Sequence, residues 1–228
     1  MKKSDSKHSK IARNAAKLYV GNPSFTMKDL ASKSGISVTD LYKLFPNRKS
    51  ILAHYYTTQI YQADEIIQNI EDFQEYTLAE KLSTLAYTLT DLLQDDREYV
   101  ERTFQELICS GFQKTDFEKK VEQRLKHIIS NDHHISSTAS FFVNPFVYTI
   151  IQKHYMWMIQ YWLNDDSAGF EDTLALIDKW TALFQELLYN SLIDKSLDLT
   201  KFLFAQSGIN EWFHSDQKKK KTSIQSDL

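Results

Sequence analysis

An all-α fold is the expectation from three features of the sequence. Breakers are scarce, with 5 Gly and 3 Pro in 228 residues, too few for the turns of a β sandwich or barrel. Apolar residues make up 42% of the chain and recur at three- and four-residue spacing, the period of a helix with one buried face. Where that period breaks, residues suited to capping a helix stand at the break, notably Thr26, Ser37, Asn47 and Asn144. A chain of this length can bury a core in one long domain or two modest ones.

From the start of the chain, Met1 to Lys7 is polar and basic and reads as a disordered arm. A first helix, roughly Ser9 to Val20, places Ile11, Ala15, Leu18 and Tyr19 on one face, and Gly21, Asn22 and Pro23 end it. Thr26 can cap a helix through Lys28, Asp29, Leu30 and Ala31. Gly35 can take a left-handed conformation without Cβ strain, and Ser37 caps a second short helix, Val38 to Phe45. Pro46 cannot continue it, and Asn47 caps a third helix opening with Arg48. Leu30, Ala31, Ile36, Leu41, Phe45 and Leu52 would lock these together as a helix-turn-helix, whose second helix is presented outward to lie in a DNA major groove.

The helix from Arg48 is expected to run through Tyr55, Tyr56 and Ile60 toward Ile70, tying head to body as a lever. Leu78, Leu82, Leu85, Leu89, Leu92 and Leu93 predict an amphipathic helix ending near Gln94. Arg97 to Cys109 forms another, stopped by Gly111, and Asp116 to Ser130 a shorter, more polar one. Asn144 and Pro145 form an N-cap and first-turn pair for an aromatic-rich helix to Leu163. Gly169, Glu171 and Asp172 open a long helix to about Leu192. Its Leu174, Ile177, Thr181, Phe184 and Leu188 form a seam suited to pairing with another helix, while Leu176, Trp180, Leu183 and Leu187 form a second apolar set suited to the core. Thr200 to Gln206 reads as a short terminal helix with Phe202, Leu203 and Phe204 docking, followed by a disordered basic tail at 213–228.

Charge is divided unevenly. Residues 1–50 hold eleven Lys and Arg against three Asp, a surplus of eight, so the whole-chain charge of −3 leaves residues 51–228 at −11. A basic head on an acidic body suits phosphate binding through the head alone. Other chemistries lack their signatures. The single Cys109 has no disulfide or metal partner and fits a reducing cytosol. Asn131-Asp132-His133-His134 reads as a solvated loop, since adjacent histidines seldom share a metal on a helix and no HExxH is present. No GxSxG and no phosphate-cradling Gly-rich loop occurs, so neither catalysis nor a cofactor is expected. Met1 to Lys10 carries no apolar signal region, and the most apolar stretch, Phe141 to Leu163, is interrupted by Asn144, Pro145, Gln152, Lys153, His154 and Gln160, against a membrane span.

Several fixed spacings of the head agree at once with one family: Ile11, Ala15 and Ala16; Thr26-Met27-Lys28-Asp29-Leu30-Ala31; Gly35-Ile36-Ser37; Leu41-Tyr42; Phe45; and Arg48 before Ile51-Leu52. The stretch resembles the DNA-binding domain of the TetR family of bacterial repressors. That resemblance implies a cytoplasmic homodimer which leaves a palindromic operator when a small apolar molecule enters the larger domain. It divides the chain into a DNA-binding head at 1–50, its last helix continuing to about 70, and a helical ligand-binding and dimerisation body at 51–212. It also implies that Tyr42, Thr26 and the position of Arg48 hold phosphates, and that the last long helices of two subunits form a four-helix interface.

The remaining contacts follow from side-chain chemistry. Val38, Thr39, Asp40 and Lys43 face outward if Leu41, Leu44 and Phe45 face in. Lys43 can donate to guanine or phosphate, Thr39 can touch a thymine methyl, and Asp40 can accept from cytosine N4. Lys28 and Lys49 complete the DNA-facing set. The family often has Gly-Thr at Thr39-Asp40 and an aromatic residue or His at Leu44. An acid here either reads a base or weakens DNA binding. A pocket for an apolar, aromatic or cationic inducer is expected near Phe104, Ile108, Phe112, His154 and Trp157. The alternative reading is a hydrophobic-ligand carrier that has lost operator recognition, resembling the lipid-binding proteins of quinone biosynthesis that reuse this fold.

Overall fold

The computed structural model describes residues 3–136, 139 and 143–189. Among these, the regular elements are all helical: α1 Lys3–Gly21, α2 Met27–Ser34, α3 Val38–Leu44, α4 Arg48–Gln68, α5 Leu78–Gln94, α6 Arg97–Phe104, α7 Asp116–Ser130, α8 Pro145–Leu163 and α9 Glu171–Tyr189. The all-α expectation is met, with a three-helix head followed by a larger helical part. The predicted helix at Thr200–Gln206, the basic tail and the stretch from 190 to Leu192 lie outside the described residues.

Most predicted boundaries agree because caps set them. Thr26, Thr77 and Thr115 each accept from the backbone amide three residues on, and the acid at that place (Asp29, Glu80, Glu118) returns the bond to the cap's own N–H. Asn144 accepts from the amides of Phe146 and Val147, with Pro145 filling a first-turn place that needs no donor. Two expectations need correction. Residues 3–7 are not a free arm, since α1 starts at Lys3; with no Gly or Pro before Gly21, nothing stops the helix propagating backward from its buried face. The single helix over Arg97–Cys109 is α-helical only to Phe104 and widens to a π turn at Gln105–Cys109.

By its contacts the chain divides into two units, Met1–His133 with Asn144–Gln185, and His134–Val143 with Glu186–Leu228. In the first, α4 is the central post, packed by α1, α5 and α7. Tyr55, Tyr56 and Tyr99 are fully buried with Phe104 and Phe117, so the tyrosines expected on the lever helix serve as core. Their hydroxyls all find partners: Tyr55 donates to Asp96, Tyr56 pairs with Thr103, and Tyr99 donates to the carbonyl of Leu52. Within the second unit, the Ser136 amide donates to the Leu188 carbonyl and the His134 and Tyr189 rings lie 5.6 Å apart.

Candidate nucleic-acid interface and ligand groove

The head is a rigid frame for one short helix. The Gly35 backbone is left-handed at φ 68°, as the turn between α2 and α3 requires, and a Cβ there would meet nothing within 4 Å. Conformational freedom rather than crowding therefore explains the glycine. Leu30 and Ala31 of α2 and Leu41 of α3 are buried, as is Phe45 just past it. Burying a leucine or phenylalanine of this kind stabilises by about 1.5–3 kcal/mol each, which fixes the face that α3 turns outward.

That outward face carries Thr39, Tyr42 and Lys43, all exposed, with Val38 and Asp40 partly so. Leu44, placed inward by the sequence, is only half-buried. Asp40 is the third residue of α3. Its amide donates to Ser37 Oγ at 3.0 Å, the Ser37 hydroxyl donates to its Oδ2 at 2.8 Å, and Lys43 Nζ donates to its Oδ1 at 3.0 Å. The Ser37 hydroxyl first, then Lys43, holds the Asp40 carboxyl below its ordinary value. The Ser37-x-x-Asp40 spacing is itself a helix-start signal legible in the sequence.

Thr26 is exposed at the start of α2 and bound into its capping box with Asp29, whose carboxyl is held low by the Thr26 backbone N–H and then its hydroxyl. Lys28 is exposed on α2. Arg48 is placed differently from a free phosphate ligand: its Nη1 donates to the carbonyls of Pro23 at 2.8 Å and Phe25 at 3.0 Å, and its guanidinium lies 5.3 Å from the Phe25 ring centre. It fastens the approach to α2 onto the start of α4. Lys49 is exposed, 3.9 Å from Glu106 on the π turn. Arg102 reaches back to the Val20 carbonyl and Arg13 to Gln62, so α1 is bonded to both α6 and α4.

The five residues expected to line a pocket are not brought together in one cavity. Phe104 and Ile108 are core, Phe112 is fully exposed, and Trp157 is 44% exposed. His154 is half-buried, stacked on Trp180 at 4.4 Å, and burial lowers its imidazole below the ordinary value. Cys109, closing the π turn, has its thiol pushed up to about 11, by burial above all, so it stays protonated at neutral pH.

A groove of about 660 Å³ instead opens between α5 and α9, lined among others by Tyr87, Asp91, Trp162, Phe170, Leu174 and Asp178. The sequence gives little sign of it, because its walls come from separate segments and polar and apolar residues alternate along both. The start of α9 is set by Asp165, which accepts from the amides and hydroxyls of Ser167 and Thr173 and is held well below the ordinary carboxylate range by those bonds, the Ser167 hydroxyl first. Tyr87 donates to Asp178 across the groove.

On α9 the predicted pairing seam mostly faces inward. Ile177, Thr181 and Leu188 are buried, Phe184 is half-buried, and Leu174 alone is exposed, toward the groove. The set expected to be core faces out instead: Leu183 is 60% exposed, Leu187 is exposed, and Leu176 and Trp180 are partly so. Two apolar sets on one helix have the same spacing, and spacing cannot say which one meets the protomer. On α8, Phe146, Ile150, Trp157 and Tyr161 form a second exposed apolar stripe, joined to α9 through the stack of His154 on Trp180. No helix among the described residues is long and apolar enough to cross a membrane, and among them no three His, Cys, Asp or Glu side chains converge as metal ligands.

Residues 81–203 match the family model described as tetracyclin repressor-like, C-terminal domain. Among solved structures the fold is similar to a TetR transcriptional regulator from Nitrosomonas europaea ATCC 19718, with a TM-score of 0.54 at 12% identity over 77% of this chain and 96% of that one. It is also similar to a TetR transcriptional regulator from Rhodococcus sp. RHA1, with a TM-score of 0.50 at 14% identity over 80% of this chain and 97% of that one. No curated protein sequence matches the chain.

Proposed function

The chain belongs to the tetracycline repressor-like (TetR) family, and from that premise we propose that it is a cytoplasmic transcriptional repressor. It binds a palindromic operator as a homodimer and leaves it when a small molecule occupies the body. Residues 1–50 read DNA, and the helical body from residue 51 holds the ligand and the partner. One observation carries this reading: α3 is pinned by buried Leu41 and by the Ser37 cap, with Thr39, Tyr42 and Lys43 presented outward on a head with a surplus of eight positive charges. That is the arrangement a major-groove helix needs. Tyr42, Thr26, Lys28, Lys43 and Lys49 are assigned to phosphates, and Val38 and Thr39 to bases. Arg48 serves by holding the frame. The exposed stripes of α8 and α9, with Trp157 and Leu183 at their centres, are assigned to the dimer interface, because an apolar surface of that kind is normally covered.

Selection of bound DNA from a random pool tests the reading. Enrichment of a two-fold-symmetric site, bound less tightly as salt rises, is expected. A pool that stays random at low salt would sink it. That outcome favours a second reading, ligand carriage without operator recognition, which draws on Asp40 neutralising Lys43 on the face that would meet DNA.

A further inference from the structure

The groove between α5 and α9 has walls of two chemical kinds. Trp162, Phe170 and Leu174 are apolar, while Asp91 on α5 and Asp178 on α9 set a carboxylate on either side. No lysine, arginine or histidine is among its described lining residues. The aromatic walls already accept a positive charge from behind: the Arg97 guanidinium lies 5.0 Å from the Trp162 ring centre and 4.8 Å from that of Phe170. Arg97 is itself held by Glu101 and by the Leu163 carbonyl. Its charge is therefore answered outside the groove; Asp178 accepts from the neutral Tyr87 hydroxyl, and no cation among the described lining residues answers its charge or that of Asp91.

We propose that this groove binds a lipophilic organic cation, an aromatic body bearing one delocalised positive charge. The volume of about 660 Å³ suits a ligand of drug-like size. The apolar body leaves water against Leu174, Trp162 and Phe170, and the charge rests between the two carboxylates. An anion of the same shape meets two like charges instead. Binding at the groove stands by itself; that such a cation releases DNA rests on the repressor reading.

The test uses the full chain and two ions of nearly equal shape and opposite charge, tetraphenylphosphonium and tetraphenylborate, titrated by calorimetry. The phosphonium is expected to bind more tightly than the borate by about tenfold or more. Asp91→Asn and Asp178→Asn, both at exposed positions, should each weaken the phosphonium by roughly tenfold with an unchanged circular dichroism spectrum. Leu174→Trp, which fills the groove, should weaken it too. Equal affinity for the two ions, or phosphonium binding that survives both Asn substitutions, overturns the proposal. A chain that binds the phosphonium and no DNA keeps the groove and loses the repressor reading. One that binds an operator and neither ion loses the groove alone.

Discussion

Lys43 Nζ lies 3.0 Å from Asp40 Oδ1, one turn apart on the outward face of α3, and Asp40 also accepts from the hydroxyl of the helix cap Ser37. The acid in the middle of a basic head is thus part of the helix start, and it holds Lys43, the basic side chain of α3. Its carboxyl, kept low by Ser37 and Lys43, remains charged throughout the neutral range. Any approaching phosphate competes with it for Lys43.

Replacing Asp40→Asn keeps an acceptor for Ser37 and removes the charge. Duplex binding should tighten at low salt, and the slope of log affinity against log salt should steepen by about one, the size of one extra phosphate contact. Fluorescence anisotropy over a potassium chloride series measures it. An unchanged slope means that Lys43 does not reach the backbone, and weaker binding confined to the selected site means that Asp40 reads a base.

Arg48 and Lys43 should separate stability from DNA affinity. Arg48→Ala removes two bonds from Nη1 to main-chain carbonyls, and a loss of about 1–2 kcal/mol is expected in urea unfolding with the salt slope unchanged. Lys43→Ala should change stability by no more than about 0.5 kcal/mol and lower the slope by roughly one. A reversed pattern would return Arg48 to the phosphates.

Acid sensitivity should concentrate where α7 meets α8. Glu118 is buried, and Lys153 donates to its Oε1 at 2.7 Å. Burial raises the Glu118 carboxyl, and the bonds from Lys153 and Thr115 outweigh that, leaving it below its ordinary value. A lowered folded value means stability fully present above the unfolded value, near 4.5, and lost as pH falls through the folded one. Lys153→Ala should cost about 2 kcal/mol at pH 7, less than for a fully buried pair because Lys153 is half exposed. Its deficit against the wild type should shrink below pH about 4, as Glu118 protonates. A deficit that is the same at both pH values would mean that Lys153 acts by packing alone.

The two apolar faces of α9 should respond differently to substitution. Leu183→Glu places a charge on the outward face and should yield a folded monomer in sedimentation velocity, with Trp157→Glu behaving alike. Ile177→Ala, at a fully buried site, should leave assembly intact and lower stability by about 2–5 kcal/mol. A dimer that persists in both Glu variants would place the interface elsewhere.

Local chemistry was legible and lateral geometry was not. Thr26, Gly35, Ser37, Asn47 and Asn144 announce their turns because a cap is a property of three or four neighbouring residues, and the structure has helices starting or stopping at each. The π turn at Gln105–Cys109 leaves no mark in composition, since its residues suit an α-helix equally well. Arg48 resembles a phosphate ligand until the fold brings the Pro23 and Phe25 carbonyls beneath it, 25 and 23 residues earlier in the chain. The groove likewise depends on the gap between α5 and α9, which no spacing within either helix encodes.

Helix α9 presents four strips around its circumference. One is inward at Ile177 and Thr181, one borders the groove at Leu174 and Asp178, and one is apolar and outward at Trp180 and Leu183. The fourth, through Ala175, Lys179 and Ala182, is exposed. It is a natural mounting rail for a spectroscopic label. A dye on a cysteine introduced at Ala182 would sit about one turn from Asp178 and about half a turn from Trp180, close enough to register a change on either side.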